Sequence, residues 1–323
     1  MVQRLNQRGI VQYIVLGVVS LISIWLYFNQ QSIRDWLVLR SYEPPQEIVE
    51  LADTASLSDT GRRLFYVAKP ELSTAEEFNQ NCSFEEKSLV LGCFSHSRIY
   101  IFDVDSEELS GIEEVTAAHE MLHVVYGRMS GAEKQRIDEL TARALSELND
   151  ERINKVLDGY RQDDPDSVPN ELHSILGSEA RLLPGELEEH YSRYFDDRLT
   201  VVILAESYEQ VFTELQDKLS QLEEEITNLR SRITSTEQQL EADQQALDKE
   251  SARLNSLRQN GQIEQYNSGV AGYNQMVERY NVLIAEYKAV VGEHNELVED
   301  FNAIALEQNQ LVQSINSKYQ TIE

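Results

Sequence analysis

Positive charge is scarce in this chain. Lysine and arginine number 28 against 56 aspartates and glutamates over 323 residues, for a formal net charge of −28. That balance excludes binding of nucleic acid or anionic lipid through a basic face, because both depend on a local surplus of cations. Proline and glycine are few as well, at 6 and 14, which excludes a loop-rich β fold and leaves long helices. Cysteine is limited to one pair, Cys82 and Cys93, in NCSFEEKSLVLGC. A pair closing so short a loop suits an oxidising compartment and is expected to form a disulfide, two buried thiols being the alternative.

Charge of either sign is missing from Ile10 to Phe28 in MVQRLNQRGIVQYIVLGVVSLISIWLYFNQQ. About 19 residues at roughly 1.5 Å rise reach across a bilayer core of about 30 Å. Residues 10–28 are therefore expected to form a membrane span after a short tail, 1–9. The exit WLYFNQQ lacks the small-x-small pattern of a cleaved signal peptide and places Trp25 and Tyr27 as interface anchors. Arg4 and Arg8 balance Arg34 and Arg40, so the short tail and the cysteine pair decide the orientation. They favour a single-pass cell-membrane protein with the chain beyond the span outside the cytoplasm.

Residues 29–46 read as a juxtamembrane linker with a short helix stopped ahead of Pro44 and Pro45. A globular domain follows over 47–203. Its strand signals are confined to GRRLFYVAKPEL and SLVLGCFSHSRIYIFDVD. After Gly111 the pattern is helical, apart from a loop at 161–170.

The chemistry concentrates in IEEVTAAHEMLHVVYGRM, residues 112–129. His119 and His123 are four apart, so on a helix both imidazoles project from one face and can share one metal ion. Glu120, beside them, can act as general base toward water acidified by zinc and return the proton to a leaving amine. IYIFDV just ahead reads as an edge strand along a substrate cleft, where an extended peptide adds by main-chain hydrogen bonds. A third ligand is sought in VPNELHSILGSEARLLPGELEEHYSRYF: Glu171 is favoured, Glu179 is the alternative, and His173 is a third possibility. His190, Tyr191 and Tyr194 on the next helix are possible hydrogen-bond donors to an oxyanion, or packing aromatics.

HEMLH followed some fifty residues later by the NELHS helix, and preceded by a strand, resembles the gluzincin group of zinc metallopeptidases, in particular compact membrane-linked bacterial members. The resemblance covers roughly residues 60–200. It implies a zinc ion held by two histidines and a glutamate with water in the fourth position, Glu120 as the base, and hydrolysis of peptide bonds. One departure stands out. The family's acid four residues after the ligand glutamate is replaced by Ile175 after Glu171, and by Leu183 after Glu179.

From Tyr208 on, Phe212, Leu215, Leu219, Leu222, Ile226, Leu229 and Ile233, then Leu240, Leu247, Leu254 and Leu257, fall on steps of four and three or their multiples, a coiled-coil seam. QNGQ at 259–262 breaks it. Heptads then resume with Tyr266, Tyr273, Tyr280, Tyr287, His294 and Phe301, most followed by asparagine. Residues 204–323 are expected to fold back as an antiparallel hairpin with its turn near 259–262, the rings packing on the leucine seam and the asparagines flanking it. A second apolar stripe, Met276, Leu283, Val290, Leu297, Ile304 and Leu311, exceeds what one hairpin buries and predicts contact with a second copy, a partner helix or the chain's own globular domain.

The expected fold class is thus mainly α, of α+β type: a transmembrane helix, a small HExxH domain with a short sheet, and a long coiled-coil hairpin. The expected function is a membrane-anchored, zinc-dependent peptidase acting on a peptide or protein substrate, with no nucleic acid as partner. The alternative is a non-catalytic envelope scaffold in which the coiled coil is the working part.

Overall fold

The computed structural model describes residues 7–82, 91–148 and 150–319, with side chains from residue 15 onward. The chain divides into two compact units: residues up to Glu209 together with those from Gln313, and residues Gln210–Val312.

The first unit opens with α1 (Gln7–Ser41), α2 (Gln46–Thr54) and α3 (Asp59–Val67). Among the described residues no helix is long and apolar enough to cross a membrane. This differs from the span expected at 10–28, whose first side chains, at residues 10–14, lie outside those described. Within residues 29–46 the helix expected ahead of Pro44 and Pro45 is present, as the continuation of α1. Helix continues to Ser41, and buried Asp35 accepts two hydrogen bonds from Arg128, at 2.6 and 3.0 Å, a bidentate ion pair of the strong kind.

GRRLFYV, read as strand, is the body of α3. Gly61, Leu64 and Phe65 are its buried positions, a helical spacing. Ser58 caps the helix by accepting from the Gly61 N–H, meeting one of the donors a helix start leaves open. Strand is limited to β1 (Glu71–Ser73), β2 (Gly92–Ser95) and β3 (Arg98–Phe102), with α4 (Ala75–Asn81) after β1. The sheet order is β1-β3-β2, β1 parallel and β2 antiparallel to β3. IYIFDV is therefore the centre of the sheet and not its edge. The unbroken run Ile99–Phe102 is buried on both sides, which is how a doubly covered strand reads. The disulfide Cys82–Cys93, Cα atoms 6.0 Å apart, joins the end of α4 to β2.

The remaining helices are α5 (Ile112–Arg128), α6 (Gly131–Leu148), α7 (Glu151–Asp163), α8 (Val168–Glu179) and α9 (Gly185–Tyr191). The stretch expected as a loop at 161–170 is shorter: α7 runs to Asp163, which leaves Asp164 ahead of Pro165, and Pro169 lies in the first turn of α8. Helix α5 is the axis of the core, with Val115, Ala117, Ala118, Met121, Leu122, Val124 and Val125 all buried. It packs most extensively on α8. Gly177 makes that approach possible, since a Cβ there would lie 2.4 Å from Leu122 Cδ1 and 2.7 Å from Tyr191 Cε1. Gly177→Ala is expected to lower the stability of this unit by about 1–2 kcal/mol, overpacking outweighing the helix-propensity gain. Hydrogen exchange of the α5 and α8 amides checks it, through faster opening of both helices.

The second unit is the pair α10 (Arg198–Gln259) and α11 (Ile263–Ser314), taken over Gln210–Val312. Gly261 turns the chain at φ 73°, a left-handed conformation that glycine adopts without strain. The helices run antiparallel: Leu254 lies against Gly269, the Tyr287 hydroxyl donates to Glu237 at 2.7 Å, and Gln308 donates to Gln216 at 3.4 Å. Each pair straddles Gln262 symmetrically. Leu215, Leu219, Leu229, Leu247 and Leu254 are buried in the seam, whereas Leu311 is the one fully buried residue of α11. The tyrosines are half-buried, and Asn267, Asn274, Asn281, Asn295 and Asn302 are exposed. The asparagines thus face solvent, and the register link is Tyr287 to Glu237.

Candidate metal centre and cleft

Helix α5 presents His119 and His123 one turn apart, with ring centroids separated by 4.7 Å. Facing them from the first turn of α8 is Glu171. One carboxylate oxygen lies 3.4 Å from His119 Nε2 and the other 3.5 Å from His123 Nε2. Donor atoms placed tetrahedrally at zinc distances of about 2.0–2.1 Å are about 3.4 Å from one another, so these separations suit such a site. The His123 ring is oriented from behind: Ser174 Oγ lies 3.1 Å from its Nδ1. With Nε2 turned toward a metal, Nδ1 carries the proton and donates it to Ser174, the kind of outer contact that fixes a ligand's tautomer.

Burial alone pushes the Glu171 carboxyl up. The hydrogen bond from His119, the neighbouring His123 and His119 charges and a hydrogen bond from Tyr160 outweigh it, and the net direction is down, toward the ionised form. Glu120 behaves in the opposite way. It is 4 % exposed, and Oε2 has no hydrogen-bond partner. Burial pushes its carboxyl up to about 7, with His123 opposing and Glu171 reinforcing the shift. A buried carboxylate oxygen left without a partner is costly, and this carboxylate has an oxygen within 4.8 Å of a ring nitrogen of His119 and of His123. The donor set and this orphaned oxygen together fit a divalent cation with its attendant water.

No family model, curated protein or solved structure matches this chain. The reading of the site therefore rests on its own residues.

The three groups open onto a cavity of about 620 Å³. One wall is β2, an edge strand of the sheet, so the strand at the edge beside the cavity is GCFS and not IYIFDV. Gly92 lets that strand approach: a Cβ would lie 2.7 Å from Glu120 Oε1 and 2.6 Å from Thr116 Cγ2. The facing wall comes from α7 and α8, with Tyr160, Asn170, Glu171 and Ile175.

Several expected site residues lie elsewhere. Glu179 reaches the cavity, but its carboxylate pairs with Arg152 at 2.6 Å, and Arg152 also bridges to Glu209 at 2.6 Å; it is not with the histidines. His173 is fully buried behind α8, its Nε2 3.0 Å from His190 Nε2. Residues two apart on a helix point roughly 200° apart, so Glu171 toward the cleft means His173 away from it. His190 and Tyr191 share that rear cluster, where the Tyr191 hydroxyl donates to the His173 carbonyl at 2.8 Å. Tyr194 rings contact His190 there too. None of these lines the cavity, so the expected oxyanion role for His190 and Tyr191 is corrected to packing. Two tyrosines line the cleft, Tyr160 and Tyr208; the one that hydrogen-bonds Glu171 is Tyr160, on a helix whose sequence carries no motif. Only its place one helix before NELHS hinted at it.

Proposed function

We propose that this chain is a membrane-anchored, zinc-dependent peptidase, with His119, His123 and Glu171 as the metal ligands. The observation that carries the reading is the Glu171 carboxylate facing both imidazole Nε2 atoms, with the unpartnered Glu120 carboxyl buried beside them. Bound there, zinc supplies a Lewis acid that brings the pKa of water toward neutrality. Glu120, with its carboxyl raised to about 7, takes a proton from the attacking water and delivers it to the leaving amine. As an edge strand, β2 can add an extended substrate by main-chain hydrogen bonds. Tyr160 places a phenol on the opposite wall of the cleft, where a donor to the developing oxyanion is useful.

Anchoring through α1 is supported by its apolar side chains, which are exposed all round from Val15 to Phe28. A surface of that kind is stable in lipid and not in water. The disulfide supports an extracytoplasmic domain. The partly exposed second stripe of α11 supports engagement of a second copy or helical partner by the hairpin.

The test is the metal content of the full chain in detergent after dialysis against a weak chelator. One zinc per chain is expected, lost in His119→Ala. A folded, disulfide-bonded protein that retains no zinc would overturn the peptidase reading and leave the hairpin as the working part of an envelope scaffold.

A further inference from the structure

The cleft walls carry an uneven charge. Glu120, Asp164, Glu171 and Glu179 line the cavity, and among the described residues no lysine or arginine does. Two basic side chains of α7 are already engaged: Arg152 is shared between Glu179 and Glu209, and Arg161 pairs with Asp158 at 2.6 Å. A divalent cation at the histidines offsets Glu171 and Glu120. Arg152 offsets only one of Glu179 and Glu209, so Asp164 adds to a remaining surplus of negative charge. Its side chain is exposed and forms no ion pair among the described residues.

The position of Asp164 gives the surplus a use. Its backbone N–H donates to the Tyr160 carbonyl at 2.9 Å, so its backbone is one helical turn, about 5.4 Å, on from that of Tyr160, whose phenol hydrogen-bonds Glu171, and both residues line the cavity. An extended peptide advances about 3.3 Å per residue. Asp164 therefore lines the cavity one turn further along than Tyr160, where it can meet a substrate side chain a few residues from the bond held at the metal centre.

We propose that the cleft selects peptides with a lysine or arginine near the cleaved bond, and that Asp164 is the residue that reads it. The inference rests on the cleft being the peptide site proposed above. Binding tests it separately from hydrolysis, with dansyl-labelled alanine-based octapeptides carrying a central Lys, Gln or Glu and the full-chain Glu120→Gln protein loaded with zinc.

At low ionic strength the Lys peptide should bind about tenfold more tightly than the Gln peptide, with the Glu peptide weaker still. The gap should narrow at high salt, which screens exposed charges. Asp164→Asn should bring Lys and Gln to within about twofold. Equal binding of the Lys and Gln peptides overturns the inference, even if the unmutated protein hydrolyses both. Retention of the full preference in Asp164→Asn overturns the role of that residue. A Lys preference in binding without hydrolysis by the zinc-loaded unmutated protein supports the inference and overturns the peptidase reading. Failure of all three peptides to bind overturns both.

Discussion

Glu120→Gln is expected to reduce peptide hydrolysis by a factor on the order of 10²–10⁴, the range general acid–base groups contribute, while zinc content stays that of the unmutated protein. The amide has nearly the shape of the carboxyl, so it fills the same space beneath Gly92, where a Cβ would lie 2.7 Å from Oε1. Packing is preserved and the ligands are untouched. What is lost is the ability to accept a proton from water and return it to the amine. Steady-state kcat/KM on an internally quenched peptide, with metal analysis of the same sample, reads both quantities. Full activity in Glu120→Gln would remove Glu120 from the chemistry. A loss of zinc along with activity would make Glu120 a ligand or structural group and not the base.

Replacing Glu120 also separates the two functional readings. A scaffold that uses only the hairpin is indifferent to this side chain. The raised carboxyl carries a desolvation cost that a purely structural helix has no reason to retain, because an alanine or leucine at the centre of α5 would pack without it. The orphaned oxygen is thus more than an unusual residue: it is a position where stability is given up, and such positions concentrate at sites of chemistry.

The histidine pair was readable in the sequence because a four-residue spacing has one geometric meaning on a helix. Glu171 was readable, with alternatives, because Pro169 fixes where α8 starts and small residues around Ser174 and Gly177 allow it to approach α5. The hairpin was readable from its heptads and Gly261. Other parts depend on which elements meet, which no local pattern encodes. Tyr160 enters the cleft only because α7 packs against α8. His190 and Tyr191 were expected at the cleft from their chemistry, yet the helical phase of α8 turns His173, and the cluster around it, to the rear. The burial of IYIFDV on both faces was a readable signal for a central strand. The GRRLFYV segment was misread because four consecutive apolar residues, Leu64 to Val67, fit a short strand or a helix equally, and Ser58 with the Gly61, Leu64, Phe65 spacing decides for helix.

The third ligand is the point at which sequence alone left two glutamates, and a paired substitution distinguishes them. Glu171→Gln should weaken zinc retention by more than about 100-fold, beyond what loss of an outer-shell contact costs. Its carboxyl is held ionised by the two imidazoles and Tyr160, and a neutral amide keeps the shape but not the charge a divalent ion needs. Glu179→Gln should leave zinc retention within about threefold of the unmutated protein, a change too small to reflect loss of a ligand. It removes a partner from Arg152, which keeps Glu209 at 2.6 Å, so no buried cation is stranded. Competition against a fluorescent zinc chelator gives both affinities. If Glu179→Gln released the metal and Glu171→Gln did not, the ion would have to sit two turns further along α8, beyond the reach of His119. The site would then no longer be one centre built on HEMLH.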